Sequence, residues 1–265
     1  MRLAIRQLIV NANIALTSCL FGTAPVPYWY WIILRKLVFF ISQDADPLRV
    51  EITSTRGDVS FVPPLEGLLN ASDTLGLWTL GQKSLNFFWR QLEQHKPRVI
   101  VEFGAGLSTL LLTTYANRES EYGRQVTIIS IEQSVEVKSE VESRLSRHGL
   151  RSEILYFPAE PTGYAISLDA LKRVLDGKLV DFVIVDGPAG PNGCRTGTLQ
   201  KILSFCRNGA QWYLDDSYRD SELSTLAQWS EAEEILIRGI IPLEHGIATG
   251  IVKTHSCRNG GTIDP

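Results

Sequence analysis

The 265-residue chain lacks several features that would each point to a definite class of protein. Its four cysteines show no Cys-x-x-Cys spacing, which favours reduced thiols in a cytoplasmic protein. Its four histidines are scattered, and none of them forms a helical metal-binding pair. The net charge of −3 provides no basic surface of the kind that binds nucleic acid, so we expect no nucleic-acid partner.

The chain also lacks a clean membrane span, although its first 45 residues differ from the rest. No charged residue lies between Arg6 and Arg35, but two asparagines and two prolines interrupt this stretch. The aromatic run 28–31, followed by basic residues, is typical of an anchor at a membrane surface. Three interpretations stay open for residues 1–41: helices that cap the cleft or form a homodimer contact, peripheral membrane contact, and a cleaved signal peptide.

Apolar runs alternate with amphipathic segments over most of the remaining chain. This alternation predicts an α/β fold with a seven-stranded, mostly parallel, doubly wound sheet. Two β-rich runs near the C terminus predict an antiparallel edge hairpin, whereas residues 196–206 are expected to be helical. Residues 180–185 are predicted to form the fourth strand, and Ser167 is expected to cap the helix that precedes it. The predicted divisions are an N-terminal helical extension (1–45), a connector (46–74), the α/β domain (75–255) and a tail (256–265).

The most informative segment is R-V-I-V-E-F-G-A-G-L-S-T (98–109). It predicts a buried strand, then a tight glycine turn, then the first turn of a helix. Gly104 and Gly106 allow a sharp turn and a close approach of a ligand to the backbone. Ser108 is expected to cap the helix, whose N terminus attracts an anionic group. A nucleoside cofactor would therefore bind here.

Two side chains indicate which cofactor this is. The dinucleotide fingerprint has a third glycine at the position that Thr109 occupies here. Glu102 would repel a pyrophosphate, but it suits a ligand that carries an amino group or a sulfonium. Glu132, after the next apolar run, is placed to accept both ribose hydroxyls. The pattern favours S-adenosylmethionine over NAD.

Four ordered motifs carry a resemblance to a known family. They are E-F-G-A-G-L-S-T (102–109), S-I-E-Q (130–133), F-V-I-V-D-G-P (182–188) and W-Y-L-D-D (212–216). With these motifs, the chain resembles the class I S-adenosylmethionine-dependent methyltransferases from about Leu75 to Lys253, and this implies a Rossmann-like fold. The resemblance implies cofactor contacts from Glu102, Gly104, Gly106 and Ser108 around the methionine moiety, Glu132 at the ribose and Gln133 beside the adenine.

The acids after the fourth and fifth strands are the candidate catalytic residues, Asp186 and Asp215. Catechol- and caffeoyl-type O-methyltransferases place similarly spaced residues around a divalent metal ion, which implies Asp186, Asp215 and Asp216 as ligands of Mg²⁺. Asp216 departs from that pattern, because the family has asparagine there. Two alternatives stay open: a metal-free site in which Asp186 orients the substrate or acts as a general base, and an aspartate pair that only caps a helix.

Arg195 and Arg219 follow the same two strands and are the candidate acceptor-binding residues. They could grip a carboxylate or phosphate, or they could be ion-pair partners of Asp186 and Asp220. The expected function is methyl transfer to an oxygen of a small-molecule or lipid-linked acceptor by a cytoplasmic enzyme. The alternatives are an NAD(P)-dependent oxidoreductase and a non-catalytic binding protein that retains the fold.

Overall fold

The computed structural model describes residues 80–190, 194–241, 243 and 245–254. The helices in these ranges are α1 (Gln82–His95), α2 (Leu107–Glu121), α3 (Val135–Arg147), α4 (Leu168–Leu175), α5 (Thr196–Ile202) and α6 (Asp220–Trp229). The strands are β1 (Val99–Phe103), β2 (Thr127–Glu132), β3 (Glu153–Tyr156), β4 (Ala159–Glu160), β5 (Gly163–Tyr164), β6 (Val180–Val185), β7 (Cys206–Leu214), β8 (Ile235–Ile241) and β9 (Ile247–Val252).

Seven of the strands form one sheet in the order β3-β2-β1-β6-β7-β9-β8, and β4 and β5 form a separate small hairpin. In this sheet the neighbouring strands β3, β2, β1, β6 and β7 are parallel, whereas β9 is antiparallel to both β7 and β8. This confirms the predicted mostly parallel sheet with an antiparallel edge hairpin. The strand order reverses between β1 and β6, and in such sheets the crevice at that reversal is where ligands bind.

The central strands are buried on both faces because their side chains alternate between two apolar layers. Val101 and Phe103 of β1 pack in one cluster, together with residues of α4, α5 and α6. Ile100 of β1 lies in the other cluster, against apolar residues of α1 and α2. Helices on both faces therefore fix the sheet and hold the carboxyl ends of its strands in register.

The region after α5 differs from the prediction. A helix was expected over 196–206, but α5 ends at Ile202, a 3₁₀ turn covers Leu203–Phe205 and β7 begins at Cys206. Cys206 pairs with Val180 of β6, and the next pair joins Gln211 to Phe182, so the intervening residues of β7 bulge out of the ladder.

Several predictions fall outside the described residues. These are the N-terminal extension (1–45), the connector (46–74), the tail (256–265), and with them the proposed membrane or dimer contact of residues 1–41. Within the described ranges, no helix is both long and apolar enough to cross a membrane.

Candidate active site

The predicted site residues meet at the carboxyl ends of β1, β2, β6 and β7. Backbone hydrogen bonds join the segments there: the Asp186 amide donates to the Phe103 carbonyl at 2.8 Å, and the Asp215 amide donates to the Val185 carbonyl at 3.0 Å. The Ala105 amide of the glycine turn donates to Glu132 Oε2 at 2.9 Å. One edge of the sheet therefore holds the glycine turn and the acids, as the strand order requires.

The glycine turn is tight at Gly104 and open at Gly106. Gly104 has φ +93°, and a Cβ there would lie 2.9 Å from the Gly187 nitrogen. Gly106 is extended, with φ −177°, and no described atom lies within 4 Å of the position that a Cβ would take. Only Gly104 needs glycine for its backbone, while Gly106 leaves open space beside the N terminus of α2.

The expected capping role of Ser108 is wrong. Helix α2 begins at Leu107, so Gly106 is the residue before the helix and Ser108 lies inside its first turn. The Gly106 amide donates instead to the Thr109 hydroxyl at 2.9 Å. That hydroxyl donates in turn to Glu102 Oε2 at 2.7 Å, so Thr109 joins the turn to the first strand.

Glu102 is fully buried at the end of β1. Its Oε2 also accepts a hydrogen bond from the Ser130 hydroxyl at 2.6 Å, whereas Oε1 has no hydrogen-bond partner among the described residues. Burial raises the pKa of Glu102 from its ordinary 4.5 to about 7, although the hydroxyls of Ser108, Ser130 and Thr109 oppose this shift. An acceptor oxygen that is buried without a donor suits a ligand that brings one.

Glu132 is placed at the end of β2 and bonds to the backbone. Its Oε1 accepts from the amides of Gln133 and Ser134, both at 2.8 Å, and its Oε2 accepts from Ala105. The Gln133 side chain donates to the Ala189 carbonyl at 3.2 Å, which links β2 to the loop after β6. The carboxylate therefore positions the glycine turn, and it keeps part of its acceptor capacity for a ligand.

Asp186, Asp215 and Asp216 come together as expected, with one carboxylate oxygen of each within 4.8 Å of the others. Burial, followed by the nearby Asp215 carboxylate, raises the pKa of Asp186 well above its ordinary value. The interpretation of the aspartate pair as a helix cap is wrong, because α6 begins at Asp220 and Arg219 precedes it.

Arg195 lies among these acids and is 5% exposed. Its Nη2 is 3.5 Å from Asp186 Oδ1 and 3.4 Å from Asp216 Oδ2, and its Nε is 3.5 Å from Glu222 Oε1. Arg219 is half-exposed, and its Nη1 lies 2.7 Å from Asp216 Oδ2. Both arginines form ion pairs with the acids, and their role toward an acceptor stays a prediction.

Tyr164 is a further buried residue of the site. It is fully buried, and its hydroxyl has no hydrogen-bond partner among the described residues. The ring packs near Phe103, with the centroids 5.8 Å apart, and the hydroxyl lies directly beside Gly187. The short β4–β5 hairpin brings it there, and no apolar periodicity reveals a hairpin of this size.

No protein-family model and no curated protein matches the chain. Its fold is similar to solved structures. A cofactor-bound protein of MTB, Rv0187, is 20% identical with a TM-score of 0.55 and covers 80% of this chain and 100% of its own.

Two further similar structures are O-methyltransferases. That of Bacillus cereus, in complex with SAH, is 16% identical with a TM-score of 0.53 and covers 77% of this chain and 97% of its own. TomG of Streptomyces achromogenes, in complex with SAM, is 15% identical with a TM-score of 0.52, and the match covers 79% of this chain and 100% of TomG. The chain therefore has the Rossmann-like fold of the class I S-adenosylmethionine-dependent methyltransferases, as its sequence motifs predict.

Proposed function

We propose that this protein transfers the methyl group of S-adenosylmethionine to an oxygen of a small-molecule or lipid-linked acceptor. The observation that carries the proposal is the glycine turn at the strand-order reversal. There, the buried Glu102 keeps one oxygen without a partner among the described residues, and Gly106 leaves open space. An unpaired carboxylate oxygen fits the ammonium group of the methionine moiety.

The choice between cofactors rests on Thr109 and Glu102. Thr109 occupies the place of the third glycine of a dinucleotide site, and its hydroxyl is engaged by Gly106 and Glu102. A pyrophosphate beside the buried acid would also be repelled. These contacts disfavour the NAD(P)-dependent oxidoreductase, and a non-catalytic binding protein becomes an outcome of the test below.

The acceptor side of the site is built from the aspartate cluster. The bound cofactor supplies a methyl group on a positively charged sulfur, and the attacking oxygen must lose its proton. Asp186 has a raised pKa and lies close to Asp215, so it is suited to take that proton as general base. Two O-methyltransferases among the similar folds support oxygen as the acceptor atom.

The carboxylate oxygens of the cluster are of the type that binds Mg²⁺. The Arg195 guanidinium, however, already lies against two of the three carboxylates. The residues as they stand do not fit a resident metal ion, and the proposed reaction uses no step on one.

Calorimetric titration of the purified chain with S-adenosylmethionine, S-adenosylhomocysteine and NADH tests the cofactor. We expect binding of the first two and none of NADH. In Glu132→Ala, the affinity should fall roughly 10–150-fold, because a charge-assisted hydrogen bond contributes about 1.5–3 kcal/mol. Part of this loss comes from the glycine turn, whose Ala105 amide loses its acceptor.

The control is Glu153→Ala, which removes an exposed glutamate at the first residue of β3, where it pairs with Ile129 of β2 and not with Glu132, and it should leave the affinity unchanged. Equal cofactor affinity in the two variants would show that Glu132 does not bind the cofactor. Binding of NADH alone would overturn the proposed function. Cofactor binding without release of S-adenosylhomocysteine across an acceptor screen would favour the non-catalytic alternative.

A further inference from the structure

The guanidinium of Arg195 is fixed by the backbone as well as by the acids. Its Nη1 donates to the Asp215 carbonyl at 3.2 Å, and its Nη2 donates to the Asp186 carbonyl at 2.9 Å. These carbonyls belong to the residues that directly follow β7 and β6, so the arginine joins the ends of two neighbouring strands. The side chain is almost completely buried and cannot swing into solvent without breaking both bonds.

The same guanidinium is surrounded by carboxylates. Oxygens of Asp186, Asp216 and Glu222 lie 3.4–3.5 Å from its nitrogens. Glu222 is itself buried in the first turn of α6. The guanidinium therefore contacts acids from α6 as well as from the ends of β6 and β7. A buried positive charge between several buried negative charges compensates them, which is what a divalent ion would do in the same cluster.

A divalent ion would require the oxygens that Arg195 already contacts. Such an ion needs carboxylate oxygens at roughly 2.0–2.6 Å. The candidate oxygens come from Asp186, Asp215 and Asp216, and the guanidinium is beside the first and third. An ion bound there would lie next to a fixed positive charge, because the two backbone carbonyls prevent the arginine from moving away.

We propose that the Arg195 guanidinium is the resident cation of this aspartate cluster and takes the place of a divalent metal ion. The inference deepens the proposed function, since it takes the cluster as the acceptor side of the methyl-transfer site. Arg195 is then a positioning residue that holds Asp186 and Asp216. The acceptor oxygen contacts the carboxylates directly, with no metal ion between them.

Manganese titration tests the proposal without an acceptor. The full chain is treated with EDTA, exchanged into metal-free buffer and titrated with Mn²⁺, and free Mn²⁺ is followed by its electron paramagnetic resonance signal. We expect no stoichiometric binding to the wild type. Arg195→Gln removes the charge from the cluster and should bind Mn²⁺ at least about tenfold more tightly than the wild type does.

Arg219→Gln is the matched control, because Arg219 contacts the same Asp216 but is half-exposed at the rim. It should behave as the wild type does. The proposal is overturned if the wild type binds one Mn²⁺ and Asp186→Asn abolishes that binding, or if a folded Arg195→Gln gains no affinity. If Arg195→Gln does not fold, the comparison of wild type with Asp186→Asn decides the question.

The same EDTA-treated protein is titrated with S-adenosylmethionine, which separates this inference from the proposed function. Cofactor binding together with site-specific Mn²⁺ binding would overturn the inference and leave methyl transfer standing. If the protein binds neither S-adenosylmethionine nor Mn²⁺, the proposed function is overturned, while the assignment of Arg195 as the cation of the cluster holds.

Discussion

Gly187→Ala is expected to lower the free energy of unfolding by about 3 kcal/mol and to abolish measurable binding of S-adenosylmethionine. The Cβ of an alanine would lie 2.8 Å from Gly104 Cα and 3.0 Å from the Gly104 nitrogen, and it would overlap the Tyr164 hydroxyl. The Gly104 atoms are backbone and cannot rotate away. The glycine turn must therefore move, and this displaces the open space at Gly106.

Chemical denaturation and calorimetry check this prediction, with two further variants. Gly190→Ala lies in the same loop, but among the described residues its Cβ would meet only Cys194, at an ordinary 3.5 Å, so this variant should change neither quantity. Tyr164→Phe removes the overlapping hydroxyl. Combined with Gly187→Ala, it should restore part of the stability but no cofactor binding, because the contact with Gly104 remains. Wild-type affinity in Gly187→Ala would show that this contact does not shape the cofactor site.

The fold could be predicted wherever local patterns carry the information. Strand β6 was predicted to the residue, since its apolar run is bounded by Gly177 and Gly187. The cap of α4 was also predicted, and the Ser167 hydroxyl accepts from the Ala170 amide at 3.2 Å. In such segments the residue pattern and the final packing specify the same structure.

Strand β7 could not be predicted in the same way. Its first half contains Arg207, Asn208 and Gly209, which are typical of a loop, and Gly209 has φ +83°. These residues belong to a strand only because Cys206 pairs with Val180. A pairing over this separation along the chain leaves no local pattern.

The candidate site shows the same division. The positions of the acids at the strand ends predict which of them share one edge of the sheet, and the structure brings these acids together. The partners of each acid were not predictable, because Arg195 reaches Asp215 across 20 residues and Ala105 reaches Glu132 across 27. Ser108 shows the opposite error: a good capping residue lies two residues past the cap position, which Gly106 occupies.

Glu102→Gln is expected to change the pH dependence of stability. Burial raises the pKa of Glu102 from 4.5 to about 7 in the folded protein, so the folded state binds more protons than the unfolded state between these values. The free energy of unfolding of the wild type should therefore fall as the pH rises from about 4.5 and level off above about 7. The total contribution is about 3 kcal/mol, and glutamine, which does not ionise, removes it.

The measurement is urea denaturation of both proteins between pH 5 and 8. Glu102→Gln should gain stability relative to the wild type as the pH rises, since only the wild type must ionise a buried carboxyl group. The control is Glu136→Gln at an exposed position in the first turn of α3, where the Ser134 hydroxyl lowers the pKa of the acid. A lowered pKa affects stability only at more acid pH. The free energy of unfolding of Glu136→Gln should therefore run parallel to that of the wild type between pH 5 and 8. Parallel curves for Glu102→Gln would mean that Glu102 is ionised throughout. That result would contradict the raised pKa of Glu102 and would show that the buried site tolerates the ionised carboxylate.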